Sequence, residues 1–193
     1  MDTFKLICAG RTNCSPDVLQ SIIQLAVEIA REGREGRKIG TLFVLADEKE
    51  VLKRSRPLIL DPLFGHPADK KRICDPDMRE TIKELAQLDG AFIVSGSGVV
   101  ISAARYINAS SRRIDLPLGL GSRHIAAASI TSDTDAVAIV VSESSVVRIF
   151  SEGQLISEII PEIWLFGDES FKITGPREEQ QVADLRIVSV KPS

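Results

Sequence analysis

The chain has 193 residues, of which 44% are hydrophobic and 26% are charged, a composition typical of one globular domain with a substantial core. Its formal net charge of −3 argues against the basic surface that proteins binding nucleic acids or membrane surfaces usually carry. We therefore expect neither a nucleic acid nor a membrane among its partners.

Cysteine usage and the N-terminus point to a cytoplasmic protein. Cys8, Cys14 and Cys74 are odd in number and lack the paired spacing of metal ligands, so we expect reduced, small side chains rather than a disulfide framework or a zinc site. The first residues lack the basic segment and apolar run of a secretion signal. The longest apolar run, residues 136–141, is far shorter than the ~20 residues that span a bilayer.

The first strong helix signal begins at Ser15. Serine can cap free N–H groups, and Pro16 suits the first helical position. Apolar residues then recur on one face of the helix, namely Val18, Ile22, Leu25, Ala26 and Ile29. The helix should end near Gly33, and a polar link leads to a strand over residues 39–45.

A loop and a second helix follow that strand. Residues 59–74 contain two prolines, a glycine and alternating charge without periodicity, which predicts a long loop. Asp75 and Pro76 then open a helix. Its predicted buried face comprises Met78, Ile82, Leu85 and Leu88.

Short, β-rich apolar runs separated by turn residues predict hairpins over the second half of the chain. Residues 92–94 and 99–103 should pair across the Ser-Gly-Ser-Gly turn at 95–98. A phosphate-binding loop is the alternative for that segment, but such loops normally lead into a helix, and β-branched residues follow here. Residues 136–142 and 146–150 predict a second strand pair, 154–160 a further strand, and 185–190 a strand in the tail.

These elements predict the fold class α/β, as a single globular domain with a mixed central β-sheet flanked by helices. The hairpins argue against a purely parallel sheet. A helix from Ser122 to about residue 130 lies between the strand segments.

A carboxylate and two small residues precede the strand at 92–94. Asp89 is followed by Gly90 and Ala91, which would let a ligand approach the backbone closely. Asp-Gly is also a common turn, so the segment by itself leaves the structural role open.

The start of the helix at Ser122 combines a cation with backbone N–H groups. Arg123 and His124 follow Gly121 and Ser122, and this arrangement suits a polyphosphate. The chain has only two histidines, and a lone histidine is usually structural.

A second acidic group follows the predicted strand at 136–142. Glu143 comes directly after Ser142, where the strand end could meet the same cleft. A solvated hairpin turn is the alternative for these two residues.

Together, Asp-Gly-Ala at 89–91, Gly-Ser-Arg-His at 121–124 and the run from Thr134 to Glu143 closely resemble the diadenylate cyclase (DAC) domain in order and spacing. The resemblance covers about residues 40–161 and is nearest to the archaeal branch. It implies the DAC fold, with an N-terminal helical segment (1–38), a catalytic core (39–161) and a C-terminal extension (162–193).

The resemblance implies an enzyme that condenses two ATP into cyclic di-AMP and releases two pyrophosphates, using Mn²⁺ or Mg²⁺. In that family two domains meet face to face, so that the 3′-hydroxyl of one ATP attacks the α-phosphorus of the other. We therefore expect a homo-oligomer that contains at least this dimer, and a monomer that binds ATP without cyclising it.

The family's pattern also implies roles for single residues. Asp89 would bind the metal or orient the 3′-hydroxyl, and Glu143 would be a second metal ligand. Arg123 and His124, with Ser122, would hold the β- and γ-phosphates. The implied catalytic residues are Asp89, Arg123 and His124; the implied ATP-binding residues are Gly90, Ala91, Leu116, Leu120, Gly121, Ser122, Arg123, His124 and Ser142.

One position departs from the family's pattern. Ile125 stands where the second motif commonly has the last arginine of Arg-His-Arg. A lost charge-assisted hydrogen bond costs ~1.5–3 kcal/mol, so we expect weaker triphosphate binding or a contact moved to another basic residue, with activity retained.

Two other functions remain open. One is a catalytically weak or inactive regulatory module that binds ATP or cyclic di-AMP, which Ile125 favours. The other is a regulatory α/β domain of the pyruvate-kinase-C-like kind, which would leave Asp89 and Arg123 unexplained.

Overall fold

A mixed β-sheet of nine strands runs through the part of the chain that the computed structural model describes, which comprises residues 3–11, 13–108, 114, 116–161, 176–182 and 185–190. The strands in chain order are β1 (Thr41–Leu45), β2 (Ser55–Pro57), β3 (Ala91–Val94), β4 (Val100–Ile107), β5 (Val137–Val141), β6 (Val147–Ser151), β7 (Gln154–Pro161), β8 (Arg177–Val182) and β9 (Leu185–Val190).

Their order across the sheet is β2-β4-β3-β1-β5-β6-β7-β9-β8. Strands β1 and β3 are parallel, and the other neighbouring pairs are antiparallel. The mixed sheet confirms the predicted fold class.

Helices cover both faces of this sheet. They are α1 (Thr3–Cys8), α2 (Pro16–Glu32), α3 (Glu48–Lys53), α4 (Pro76–Leu85) and α5 (Ser122–Asp133). Alternate residues of β1 point to opposite faces, so Phe43 joins the core under α2 and α4, whereas Leu42 joins the core under α5. The central strands are therefore buried on both faces, which explains their continuous apolar runs.

Helices α2 and α4 confirm the predicted helix starts. Helix α2 begins at Pro16, although the side chain of Ser15 makes no capping hydrogen bond. The carboxylate of Asp75 does cap α4, because it accepts hydrogen bonds from the backbone N–H groups of Asp77 and Met78. The prediction that Leu88 lies on the buried face of α4 is wrong, since the helix ends at Leu85 and Leu88 is 38% exposed.

The hairpins also form as predicted. Strands β3 and β4 pair across residues 95–98, where the hydroxyl of Ser95 accepts from the backbone N–H of Val99, so this segment is a turn rather than the start of a helix. The loop at 59–74 contains one short 3₁₀ turn, Ala68–Lys70. Strand β9 lies beside β7 and adds the chain's C-terminal part to the same sheet.

The expectation that all cysteines are reduced is wrong for two of them. Cys8 and Cys14 form a disulfide between the end of α1 and the start of α2, with their Cα atoms 5.2 Å apart. The turn after α1 brings these cysteines together, which their spacing alone did not indicate. Cys74 is free and exposed.

Within the described ranges, every helix is too short or too polar to cross a bilayer.

Candidate functional site

A cleft of about 520 Å³ opens between the first turn of α5 and the strands β1, β3 and β4. Its floor is apolar and is formed by Leu42, Ala91 and Ile107, which are all buried. Asp89 and Arg123 form part of its polar wall. A cleft of this size, with an apolar floor and a few polar groups, is typical of a small-molecule site.

Gly90 fixes the approach of Asp89 to this cleft. Its φ angle is +107°, a conformation that side chains rarely allow. A Cβ atom on Gly90 would also lie 2.6 Å from the backbone carbon of Ala104, so no larger residue fits between β3 and β4.

Arg123 joins two carboxylates at the mouth of the cleft. Its Nη2 lies 3.4 Å from Oδ1 of Asp89, and its Nη1 lies 3.2 Å from Oε1 of Glu143. The carboxylates are exposed, at 89% and 70%, while the arginine is 33% exposed. The structure thus brings together three predicted site residues from distant parts of the chain.

Gly40 makes this arrangement possible. A Cβ atom there would lie 2.7 Å from Nη1 of Arg123 and 3.3 Å from Cγ of Glu143. Gly40 was not among the predicted site residues. Its place within the predicted strand at 39–45 was the available clue, because a glycine in a strand often marks a close approach of another group.

Arg105 is a second cleft residue that sequence reasoning missed. It lies opposite Ala91 in the β3–β4 pair and donates hydrogen bonds to the hydroxyl and carbonyl oxygens of Ser55. Desolvation lowers the pKa of Arg105, and the charge of Asp61 opposes this effect. Its place beside Ala91 depends on strand register, which the sequence did not give.

His124 lies outside the cleft lining. Its side chain is 6% exposed and packs edge-on against Phe150. Burial, assisted by the charges of Arg148 and Arg123, lowers its pKa to about 4, while the backbone of Gly121 acts in the opposite direction. The imidazole is therefore neutral at pH 7, and its role toward phosphates stays a prediction.

The remaining predicted ATP-binding residues divide between the cleft and its surroundings. Those lining the cleft are Gly90, Ala91, Ser122 and Arg123, while Leu116, Leu120, Gly121 and Ser142 lie outside the lining. Leu116 and Leu120 pack against the core under α5. Gly121 is the residue that precedes α5, and Ser142 is the residue that follows β5. Their contacts with ATP stay predictions.

Asp89 and Glu143 suit a divalent ion that a nucleotide would also bind. No group of three or more His, Cys, Asp or Glu side chains is gathered for a metal within the described ranges. However, Mg²⁺ is usually held by one or two carboxylates together with substrate phosphates, and Mn²⁺ also favours oxygen ligands. Two exposed carboxylates on either side of Arg123 match that requirement.

A family model and two curated proteins are similar to this chain. Residues 28–155 match the family model described as DisA bacterial checkpoint controller nucleotide-binding (DAC). A curated diadenylate cyclase from Methanocaldococcus jannaschii is 47% identical over 144 residues, which are 74% of this chain and 45% of the relative. One from Haloferax volcanii is 40% identical over 158 residues, covering 80% and 57%. The chain thus spans about half the length of these relatives.

A solved structure shares the fold at lower sequence identity. It is titled as a hypothetical membrane spanning protein from Bacillus cereus and is 20% identical, with a TM-score of 0.53. The match covers 79% of this chain and 67% of that one.

Proposed function

The chain belongs to the DAC family, and from this premise we propose that it is a diadenylate cyclase, which condenses two ATP into cyclic di-AMP and releases two pyrophosphates. The observation that carries the proposal is the position of Arg123 between Asp89 and Glu143, at the mouth of a cleft of nucleotide size.

The reaction needs mainly positioning and neutralisation of phosphate charge, and the first turn of α5 can supply both. Arg123 is always cationic, and its guanidinium presents several donors to phosphate oxygens. Ser122 adds a hydroxyl, and the unpaired backbone N–H groups of a helix start attract anions. This turn would hold the β- and γ-phosphates.

The opposite wall would receive the sugar. Gly90 and Ala91 carry no bulky side chain, which leaves room for a ribose beside the carboxylate of Asp89. That carboxylate can accept a hydrogen bond from the 3′-hydroxyl and thereby orient it.

Asp89 and Glu143 would hold the metal. When bound, Mn²⁺ or Mg²⁺ would polarise the phosphate oxygens and neutralise charge that develops during transfer.

Cyclisation would require two chains. The cleft has the volume of one nucleotide site, whereas the product joins two nucleotides. Two clefts that face each other would place each 3′-hydroxyl near the α-phosphorus of the other ATP. The partner would therefore be a second copy of this chain.

A regulatory module that binds ATP or cyclic di-AMP without turnover is the second function. Ile125 favours it, because this residue is 45% exposed yet supplies no charge to a phosphate. The alternative predicts binding of nucleotide without formation of product.

The experiment that separates these functions is incubation with ATP and Mn²⁺ or Mg²⁺, followed by mass-spectrometric detection of cyclic di-AMP. We expect Asp89→Asn to lower the rate about 100-fold, because it removes the charge beside the reacting groups. The matched control Asp69→Asn removes an exposed carboxylate outside the cleft lining and should keep the wild-type rate.

Three outcomes would contradict the proposed enzyme or the role of Asp89. A folded wild-type chain that binds ATP but makes no product would favour the regulatory module. An Asp89→Asn variant with the wild-type rate would contradict the role of Asp89. A wild-type chain that neither binds nor converts ATP would contradict both functions.

A further inference from the structure

Three polar side chains meet beneath the first turn of α5, in a region of the core where most buried residues are apolar. Nε of Arg148 lies 2.7 Å from Oε1 of Glu158, and Nη1 of Arg148 lies 3.4 Å from Nε2 of His124. The side chains of Arg148 and Glu158 are 7% and 1% exposed. Their backbones lie directly opposite each other on β6 and β7.

The chemistry of Arg148 determines the protonation pattern of His124. A guanidinium has only N–H donors, so the ring nitrogen that faces it must be the acceptor. The proton of the neutral imidazole then resides on Nδ1. Within the described residues, Nδ1 makes no hydrogen bond of good geometry, although the backbone of Gly121 lies close enough to oppose the lowering of the pKa.

Stability alone does not explain a buried ion pair at this position. Removing two charges from water is costly, and apolar replacements of such pairs are often neutral or stabilising. The strand positions beside this pair on the same face are apolar, since Val140 of β5 lies opposite Arg148, Val188 of β9 lies opposite Glu158, and both are fully buried. An apolar pair would therefore fill the same space.

The cluster is connected directly to the cleft. His124 is adjacent in sequence to Arg123, whose guanidinium lies between Asp89 and Glu143. The imidazole points into the core while Ser122 and Arg123 line the cleft. The side chain of His124 thus anchors the helical turn that carries the cleft residues.

We propose that Arg148 and Glu158 are positioning residues: the buried pair holds His124 as the Nδ1–H tautomer and thereby fixes the first turn of α5, from which Ser122 and Arg123 face the nucleotide. The predicted effect on turnover, which is the kinetic part of this inference, rests on the proposed function. The predicted tautomer of His124, which is the structural part, can be measured without turnover.

The structural test is ¹⁵N NMR of the imidazoles in the full chain, with His66→Gln used to assign the two histidines. We expect the wild-type His124 to carry its proton on Nδ1 at neutral pH. The double variant Arg148→Met, Glu158→Leu removes the donor and leaves an apolar pair, so the tautomer should move toward Nε2–H. A wild-type ring protonated on Nε2, or a tautomer unchanged in the double variant, would overturn the structural part.

The kinetic test compares the same double variant with wild type in cyclic di-AMP formation. Misplacement of a positioned group lowers turnover, so we expect kcat to fall about 10-fold while KM for ATP changes less than about 3-fold. The matched control Arg34→Met, Glu84→Leu removes an ion pair between the turn after α2 and helix α4 and should leave both readouts unchanged.

The remaining outcomes are distinguishable. A shifted tautomer with unchanged kcat would overturn the positioning role. Absence of product from the wild-type chain would contradict the proposed function alone, because the tautomer needs no turnover. If the double variant does not fold, Arg148→Lys serves instead: it keeps a charge beside Glu158, but a single ammonium lacks the fork that also reaches His124.

Discussion

His124 makes the stability of the protein depend on pH. Its ring is buried beside Arg148 of β6 and near Glu158 of β7, with Arg123 adjacent on α5. Burial, assisted by the two arginine charges, lowers its pKa from 6.5 to about 4. As the pH falls below 6.5, the unfolded chain binds a proton that the folded chain does not. The contribution of the neutral His124 ring to the free energy of unfolding is therefore fully present above pH 6.5 and is lost progressively toward pH 4.

We predict that wild type loses about 2 to 3 kcal/mol more unfolding free energy than His124→Gln between pH 7 and pH 4.5. Urea denaturation at the two pH values measures this difference, and carboxylate protonation is common to both proteins. His66→Gln, which removes an exposed histidine, should follow wild type. If the free energy of unfolding changes with pH in the same way for wild type and His124→Gln, the imidazole is not held neutral.

The sequence indicated only part of the site at the residue scale. Asp89 and Arg123 were predictable, because each belongs to a short local motif. Gly40 was not, since its need for a missing Cβ atom arises from Arg123, which is 83 residues away in the numbering. The burial of His124 depends on Arg148 and on packing against Phe150, which local spacing does not reveal.

At the scale of elements, Lys83 joins α4 to α2. Its Nζ lies 3.0 Å from a carboxylate oxygen of Glu80, 3.1 Å from one of Glu28 and 3.3 Å from one of Glu32. Desolvation lowers the pKa of Lys83, but hydrogen bonds to these carboxylates outweigh that effect and raise it. The side chain is only 10% exposed, so the interaction is weakly screened on the lysine's side.

We predict that Lys83→Met lowers the free energy of unfolding by about 2 kcal/mol, because the three carboxylates lose the cation that they share, although Arg79 still pairs with Glu28 and Arg34 with Glu80. The matched control is Lys53→Met, whose side chain is 69% exposed and pairs with Glu50 at 2.6 Å. Its effect should stay below about 0.5 kcal/mol. Urea denaturation at pH 7 measures both, and equal effects would contradict the bridging role of Lys83.

Elements with strong local signals were predictable, and short ones were not. A proline near the start and a periodic pattern of apolar residues predict helices α2 and α4. Apolar runs beside turn residues predict strands β5 and β6. Helix α3 has six residues and β2 has three, which are too few for a periodic pattern. Strand β8, Arg177–Val182, is largely polar and gave no β signal.

At the scale of the whole molecule, sheet topology assembles the cleft. Strands β1 and β3 are parallel, so Gly40 and Asp89 precede them at the same edge. Strand β5 is antiparallel to β1, so Glu143 follows it at that edge. The order β3-β1-β5 was not available from the sequence, because it requires long-range pairing. This topology explains why residues from three separate segments surround Arg123 at the mouth of the cleft.

The cleft is open at this edge of the sheet, where the cleft of a second chain could face it. We therefore expect dimer formation to control the rate of cyclic di-AMP formation. If each chain binds one ATP and two clefts must face each other, we predict that product formed per chain at saturating ATP rises with protein concentration and then levels off. ATP bound per chain should stay constant across the series, because binding needs only one cleft. Sedimentation at the same concentrations would show whether the rise follows dimer formation. A rate per chain that stays constant while the protein sediments as a monomer would place both nucleotides in one chain and contradict the two-chain arrangement.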